Sequence, residues 1–252
     1  MHHSDMTFKV RLLDEEAILH IEAQTDDSRD KPMPLRMLAY ASFLGLQYEL
    51  PVYSTVLYFR PPAGQDDPGY YGYGNEDRGG LWFSYTVIRL YELEAELSLD
   101  AASVGLLPFA PLMKPPKGMT TKAWVQKCVE TVQTAAVDNR TRSTLLFALS
   151  VFGSLVHDPE LFDEMISEEM MQESPFYELV TQRGIERGIE RGARETTIEN
   201  MLTVLEARFP NANINAVKSH LETITDLNRL KQLNLEASLA SNFETFQREL
   251  ET

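Results

Sequence analysis

The hydrophobic period of this chain changes for good at one place, the proline-rich stretch over residues 106–117 (Leu-Leu-Pro-Phe-Ala-Pro-Leu-Met-Lys-Pro-Pro-Lys). Ahead of it, apolar residues mostly alternate with polar ones. Behind it, they recur every three or four positions. A strand presents a face every second residue and a helix every 3.6, so one element cannot serve both patterns. The chain is therefore expected to fold as a strand-rich part followed by an all-α part, an α/β protein with a mixed-sheet core at its N-terminal end.

In the first part, Phe8, Val10 and Leu12 alternate with Thr7, Lys9 and Arg11, the pattern of a half-buried strand. Asp14-Glu15-Glu16 reads as a turn and residues 17–24 as a second strand, which predicts a hairpin. Residues 32–48 carry Met33, Met37, Tyr40, Leu44 and Tyr48 at helical spacing behind an initial proline. Residues 52–59 are rich in β-branched and aromatic side chains and predict a central strand. Residues 61–80 are broken by glycine and read as a loop, with Tyr70, Tyr71 and Tyr73 folded over a hairpin tip. Residues 82–90 predict another strand, and 106–117 a linker.

Helices are expected over 121–136, 141–157 and 159–182. The repeat Arg183-Gly184-Ile185-Glu186, Arg187-Gly188-Ile189-Glu190, Arg191-Gly192-Ala193-Arg194 follows. Its three glycines cost a helix on the order of 3 kcal/mol. Pairs such as Arg187 with Glu190 return a few tenths each. The segment reads as a connector helix able to self-associate across its glycine face. Ile198, Met201, Leu202, Leu205 and Phe209 form an apolar stripe that stops before Pro210. Ile214, Val217, Leu221 and Ile224 form a second, and Asp226 is positioned to cap a last helix carrying Leu227, Leu230 and Leu233. Three regions result: a core over 1–118, a helical extension over 119–182, and the glycine-repeat connector with a small helical module over 183–252.

At 252 residues the chain is long enough for a sizeable core. It begins with polar residues, has no apolar run near the roughly 18 residues a membrane span needs, and carries one cysteine, Cys128. These features point to a cytoplasmic protein without a membrane role. The formal net charge of −15 disfavours general nucleic-acid binding, which rests on Lys and Arg. A nucleic-acid role would need a local basic patch or a metal ion.

The run 17–24 (Ala-Ile-Leu-His-Ile-Glu-Ala-Gln) holds the chemistry. As a strand it would turn Leu19, Ile21 and Ala23 to a core and His20, Glu22 and Gln24 to the opposite face. Asp5, at the start of the first strand, could approach Glu22 across the hairpin. Two carboxylates and the Ala23 carbonyl would form an all-oxygen site suited to Mg²⁺ or Mn²⁺. Gln24 could orient a water, and Lys31 and Arg36 could contact phosphates. The same residues admit plainer readings: Asp5 at a frayed terminus, Glu22 and Gln24 on a solvated sheet face, and Arg36 in a salt bridge to Glu22 or Asp26.

The order Asp5-x-x-Phe8, then Leu19-His20-Ile21-Glu22-Ala23-Gln24, then Met33-Pro34-Leu35-Arg36-Met37-Leu38-x-Tyr40, then Pro51-Val52-Tyr53-Ser54-x-Val56-Leu57-Tyr58-Phe59 resembles the Rpn family of recombination-promoting nucleases, also grouped with transposases, of the PD-(D/E)XK superfamily. The resemblance covers about residues 5–115, with several blocks in order. It implies a restriction-endonuclease-like core and Mg²⁺- or Mn²⁺-dependent DNA cleavage. It implies Asp5 and Glu22 as metal ligands with the Ala23 carbonyl, and Gln24 at the position usually held by lysine. Two departures stand out. Gln24 lacks the lysine cation, and only four residues precede Asp5 where the superfamily has a helix, so the resemblance implies a core truncated at its N-terminus. The alternative is a degenerate, inactive nuclease fold serving as an interaction module, or one that forms homo-oligomers through its C-terminal helices.

Overall fold

The computed structural model describes residues 6–12, 14–75, 77–94 and 104–251. The chain divides into two compact units, Met1–Tyr177 and Glu178–Thr252. Over half of it (56%) is helical beside a small mixed sheet, so the α/β expectation holds at the level of class.

The expected hairpin forms. β1 (Met6–Leu12) pairs antiparallel with β2 (Glu15–Gln24), Met6 opposite Ile21 and Leu12 opposite Glu15. Asp14 makes the turn at φ 73°, a left-handed value that Asp tolerates better than most side chains. Helix α1 (Met33–Tyr48) follows and buries Met33, Met37, Tyr40 and Leu44, one stripe at helical spacing. It ends where Glu49 turns left-handed and donates its N–H to the Gly45 carbonyl. β3 (Val52–Tyr58) then lies parallel to β2, and β6 (Thr86–Arg89) parallel to β3, giving the sheet order β1-β2-β3-β6 with β3 inside as expected.

Three expectations are corrected here. The loop over 61–80 contains strand β4 (Tyr70–Asn75), paired antiparallel with β5 (Gly79–Ser84) in a separate two-stranded sheet. The single strand over 82–90 is split at Tyr85, with β5 in one sheet and β6 in the other. Tyr85 donates its N–H to the Gly69 carbonyl and its ring is buried, so the chain switches sheets there without an orphaned donor. The proline-rich linker is a buried 3₁₀ segment, Val104–Leu112, with Leu107, Pro108, Ala110, Pro111 and Leu112 inside. Prolines suit its short-range turns, and its apolar content fills the sheet face that carries Ala23, Leu57 and Ile88, together with Phe109 and Phe152.

Helices α2 (Thr121–Thr134) and α3 (Asn139–Gly153) are capped by the Thr120 and Asp138 side chains. They enclose Trp124, Val125, Val132, Leu146 and Leu149 in the main apolar cluster of this unit. The helix expected over 159–182 is broken into α4 (Pro159–Asp163), α5 (Glu168–Met171) and the start of α6 (Pro175–Arg208). Pro159 and Pro175 have no N–H to give a preceding turn, so each starts a helix instead of continuing one.

In the second unit, α6, α7 (Ile214–Thr223), α8 (Leu227–Leu239) and α9 (Phe243–Leu250) enclose Met201, Leu205, Leu221, Leu230, Leu233 and Phe246. Asp226 caps α8 as expected. Arg208 donates to the Ala237 and Ala240 carbonyls, satisfying the end of α8, and Arg194 does the same for α7 at the Glu222 and Ile224 carbonyls. The glycine repeat lies inside α6, and a methyl placed on Gly184, Gly188 or Gly192 would meet nothing within 4 Å.

Candidate functional site

The pleat of β2 sends His20, Glu22 and Gln24 to one side of the sheet, as their spacing requires. That side is covered. Helix α1 lies over it, and His20 is 0% and Glu22 1% exposed, whereas Leu19 and Ile21 on the other side are half-buried. The expectation that Leu19, Ile21 and Ala23 face the core while the polar set lies opposite is thus corrected: both faces are packed, and the polar residues sit under α1. The sequence lacks an apolar alternation strong enough to decide which face a helix would cover.

Burying a carboxylate without a partner costs several kcal/mol, and the surroundings of Glu22 provide partners. Arg36, on the second turn of α1, donates to Glu22 Oε1 as a short charge-assisted bond. The Gln24 amide donates to the same oxygen at 3.3 Å. His20 Nε2 lies 3.7 Å from Glu22 Oε2. Behind it, His20 Nδ1 meets Ser54 Oγ at 3.2 Å, as the β2–β3 register opposes these two residues. Tyr40, one turn beyond Arg36, sets its ring edgewise to His20 at 5.4 Å, and the Arg36 guanidinium lies 5.8 Å from the same ring. His20 was expected on this face beside Glu22, by parity and without a role of its own; Ser54 was missed, because only the β2–β3 register brings it here.

Of the residues singled out from the sequence, Glu22, Gln24 and Arg36 come together. Ala23 turns its side chain to the other face of the sheet. Lys31 is exposed ahead of α1 and borders, with Leu35, Arg36 and Tyr40, a cavity of about 390 Å³. Asp5 lies outside the described residues. Among the described residues, no three His, Cys, Asp or Glu side chains group closely enough to hold a metal ion. Around the Glu22 carboxylate stand the Arg36 guanidinium, the Gln24 amide N–H and the His20 ring, so among the described residues the lining does not make the all-oxygen set that Mg²⁺ or Mn²⁺ takes.

Past the strand ends, a second polar cluster fixes the backbone. Tyr58, opposite Gln24 in the sheet, and Tyr85 both donate their phenols to Asp67, at 2.6 and 2.5 Å, and Gly69 N–H joins them. Burial first, and then the bond to Asp67, push both phenols far above the ordinary tyrosine range. Arg89 clamps the same loop through the Gly64 and Asp67 carbonyls. A larger cleft of about 610 Å³ opens beside Arg60, Tyr91, Met113 and His157. Its charges are already engaged, Arg60 donating through one Nη to both Asp26 oxygens and Lys114 3.9 Å from Glu94. The His157 ring donates to the Pro111 carbonyl. The chemistry therefore concentrates at Glu22.

No family model matches the chain, and neither a curated protein nor a solved structure matches it. Among the described residues, no helix is long and apolar enough to cross a membrane.

Proposed function

We propose that the chain is a divalent-metal-dependent DNA endonuclease of the recombination-promoting type, built on a restriction-endonuclease-like core. One observation carries the reading: a buried carboxylate, Glu22, near the end of a strand, with Gln24 and Arg36 converging on it. The mixed sheet with α1 over its acidic face supports it further. The single cysteine, buried and unpaired, suits a cytoplasmic setting.

Asp5, Glu22 and the Ala23 carbonyl would hold Mg²⁺ or Mn²⁺. When bound, the ion supplies a Lewis acid for a phosphoryl oxygen and acidifies water. Arg36 and Lys31, bordering one cavity, offer two cations to DNA phosphates and offset the acidity of the chain locally. Gln24 steadies the Glu22 carboxylate through its amide, and it orients a water where the family has a lysine cation. Its neutrality removes the field a lysine would give the attacking oxygen, so turnover is expected to be slow.

A second reading has one specific support. Arg36 already neutralises Glu22, so the cluster is balanced without a metal and suits an inactive fold used for interaction or homo-oligomer formation. Plasmid nicking separates the two. Purified protein with Mg²⁺ should nick supercoiled DNA and stop on chelation, and Glu22→Gln should be inert while melting like a folded protein. Nicking by Glu22→Gln at the wild-type rate would overturn the site. A folded wild type that nicks nothing with either ion favours the interaction module, whose self-association light scattering would read.

A further inference from the structure

The three parallel strands end at one cleft. Asp26, Arg60 and Tyr91 stand just past the carboxyl ends of β2, β3 and β6, and all three line the cavity of about 610 Å³. Open α/β sheets take their ligands outside the carboxyl ends of the strands, and small-molecule sites run to ~300–1,000 Å³. The cleft is separate from the Glu22 cluster. Glu22 lies under α1, whereas Leu112, Met113 and Leu155 of this lining pack with Ala23, Leu57 and Ile88 on the other face of the sheet.

We propose that this cleft binds a small organic carboxylate, a monoanion with an apolar body. The walls set the body: Pro61, Pro62, Leu112, Met113, Leu155 and Val156 line it with apolar surface. The donors set the charge, because the engagement of Arg60 and Lys114 leaves some of them over. Arg60 is fixed at two points, Nε donating to the Thr25 carbonyl at 3.1 Å and one Nη to the Asp26 oxygens at 2.8 and 2.9 Å. Its other Nη has no partner among the described residues, so a preorganised N–H group is free for a carboxylate. Lys114 stands 3.9 Å from Glu94, beyond a hydrogen bond, and both side chains are largely exposed, so that pair holds the ammonium loosely. Arg60 and Lys114 face Asp26 alone in the lining, although the whole chain has 38 acidic residues to 23 basic. A surplus of one cation suits a single negative charge. A phosphate fits worse, since it calls for converging backbone N–H groups and Pro61, Pro62, Pro111 and Pro115 have none to give. The His157 ring spends its Nε2 proton on the Pro111 carbonyl at 2.8 Å, which leaves Nδ1 as an acceptor for a hydroxyl on the ligand.

Titration calorimetry on the full chain at about pH 8, without metal or DNA, tests this with three probes that share a ring and differ in charge: benzoate, benzamide and phenyl phosphate. Benzoate should bind with a Kd of about 1 mM or tighter, and the neutral and dianionic probes at least about 10-fold more weakly. Lys114→Gln removes an exposed cation without disturbing the core and should weaken benzoate about 10-fold. Val156→Trp fills the cleft from an exposed position and should abolish benzoate binding while the protein melts like wild type. No benzoate binding by wild type up to roughly 10 mM overturns the site. Wild-type benzoate affinity in either variant overturns it as well, since the ligand would then sit elsewhere. Phenyl phosphate or benzamide binding as tightly as benzoate overturns the monoanion class. None of these outcomes bears on Glu22, whose role plasmid nicking reads separately.

Discussion

Arg36 and Glu22 form an ion pair with one dry partner and one wet one: the carboxylate side chain is 1% exposed and the guanidinium side chain 21%. The asymmetry decides what each substitution does. Arg36→Met strands a buried carboxylate and should cost about 3 kcal/mol, the low end for a broken buried pair because solvent reaches the arginine side. Combining it with Glu22→Gln should cost clearly less than the two single losses together, a coupling above about 1 kcal/mol in a denaturant-melt double-mutant cycle.

The two phenols on Asp67 tie stability to alkaline pH. Both are raised above the ordinary tyrosine value of 10.0 by burial and by Asp67. The unfolded chain therefore loses these protons first, and the folded state binds more of them above that pH. Their contribution is complete below about pH 10 and is lost progressively as pH rises toward the folded values. Denaturant melts between about pH 9 and 11 should show a falling stability. The fall should be shallower in Tyr58→Phe.

Glycines of opposite sign occur in the two units. Gly188 sits in α6 with open space around its missing side chain, so Gly188→Ala should stabilise by about 0.5–1 kcal/mol. Gly153 ends α3 against the Phe162 ring, which an added Cβ would meet at 2.2 Å. Gly153→Ala should destabilise by roughly 1–3 kcal/mol through overpacking. Urea melts of each variant check both signs.

Cys128 faces the α2–α3 core, and desolvation by burial raises its thiol to about 12. Native protein should react with a thiol-specific disulfide reagent at pH 8 only as fast as it opens. Urea should release a single fast-reacting thiol. Fast labelling of the native protein would contradict the packing of α2.

The parts of the fold legible from sequence were those with a strong local period. The β1–β2 hairpin follows the alternation of Phe8, Val10 and Leu12, although Phe8 and Leu12 stay exposed instead of lining a buried face; α1 follows Met33, Met37, Tyr40 and Leu44, and the last helices their leucines and the Asp226 cap. What could not be read was set by distant partners. The tyrosines of β4 look like loop residues until β5 supplies the other half of the ladder. Leu107 to Leu112 look like a linker until the sheet face carrying Ala23 and Leu57 asks for apolar cover. At the site, Glu22, Gln24 and Arg36 were readable because they lie close in sequence. Ser54 was not, since only the parallel β2–β3 register brings it to His20. The direction in which the polar face points depended on which side α1 would take.

The repeat inside α6 carries a consequence for how such a chain changes over generations. Four residues are slightly more than one helical turn, so each added or lost Arg-Gly-Ile-Glu copy alters the helix by ~6 Å and turns everything after it by ~40°. A methyl on Gly184, Gly188 or Gly192 would meet nothing within 4 Å, so no contact at these three positions fixes the number of copies. A tandem repeat is also where copying errors gain or drop whole units. The length of α6 can therefore change in equal steps at this point of the helix.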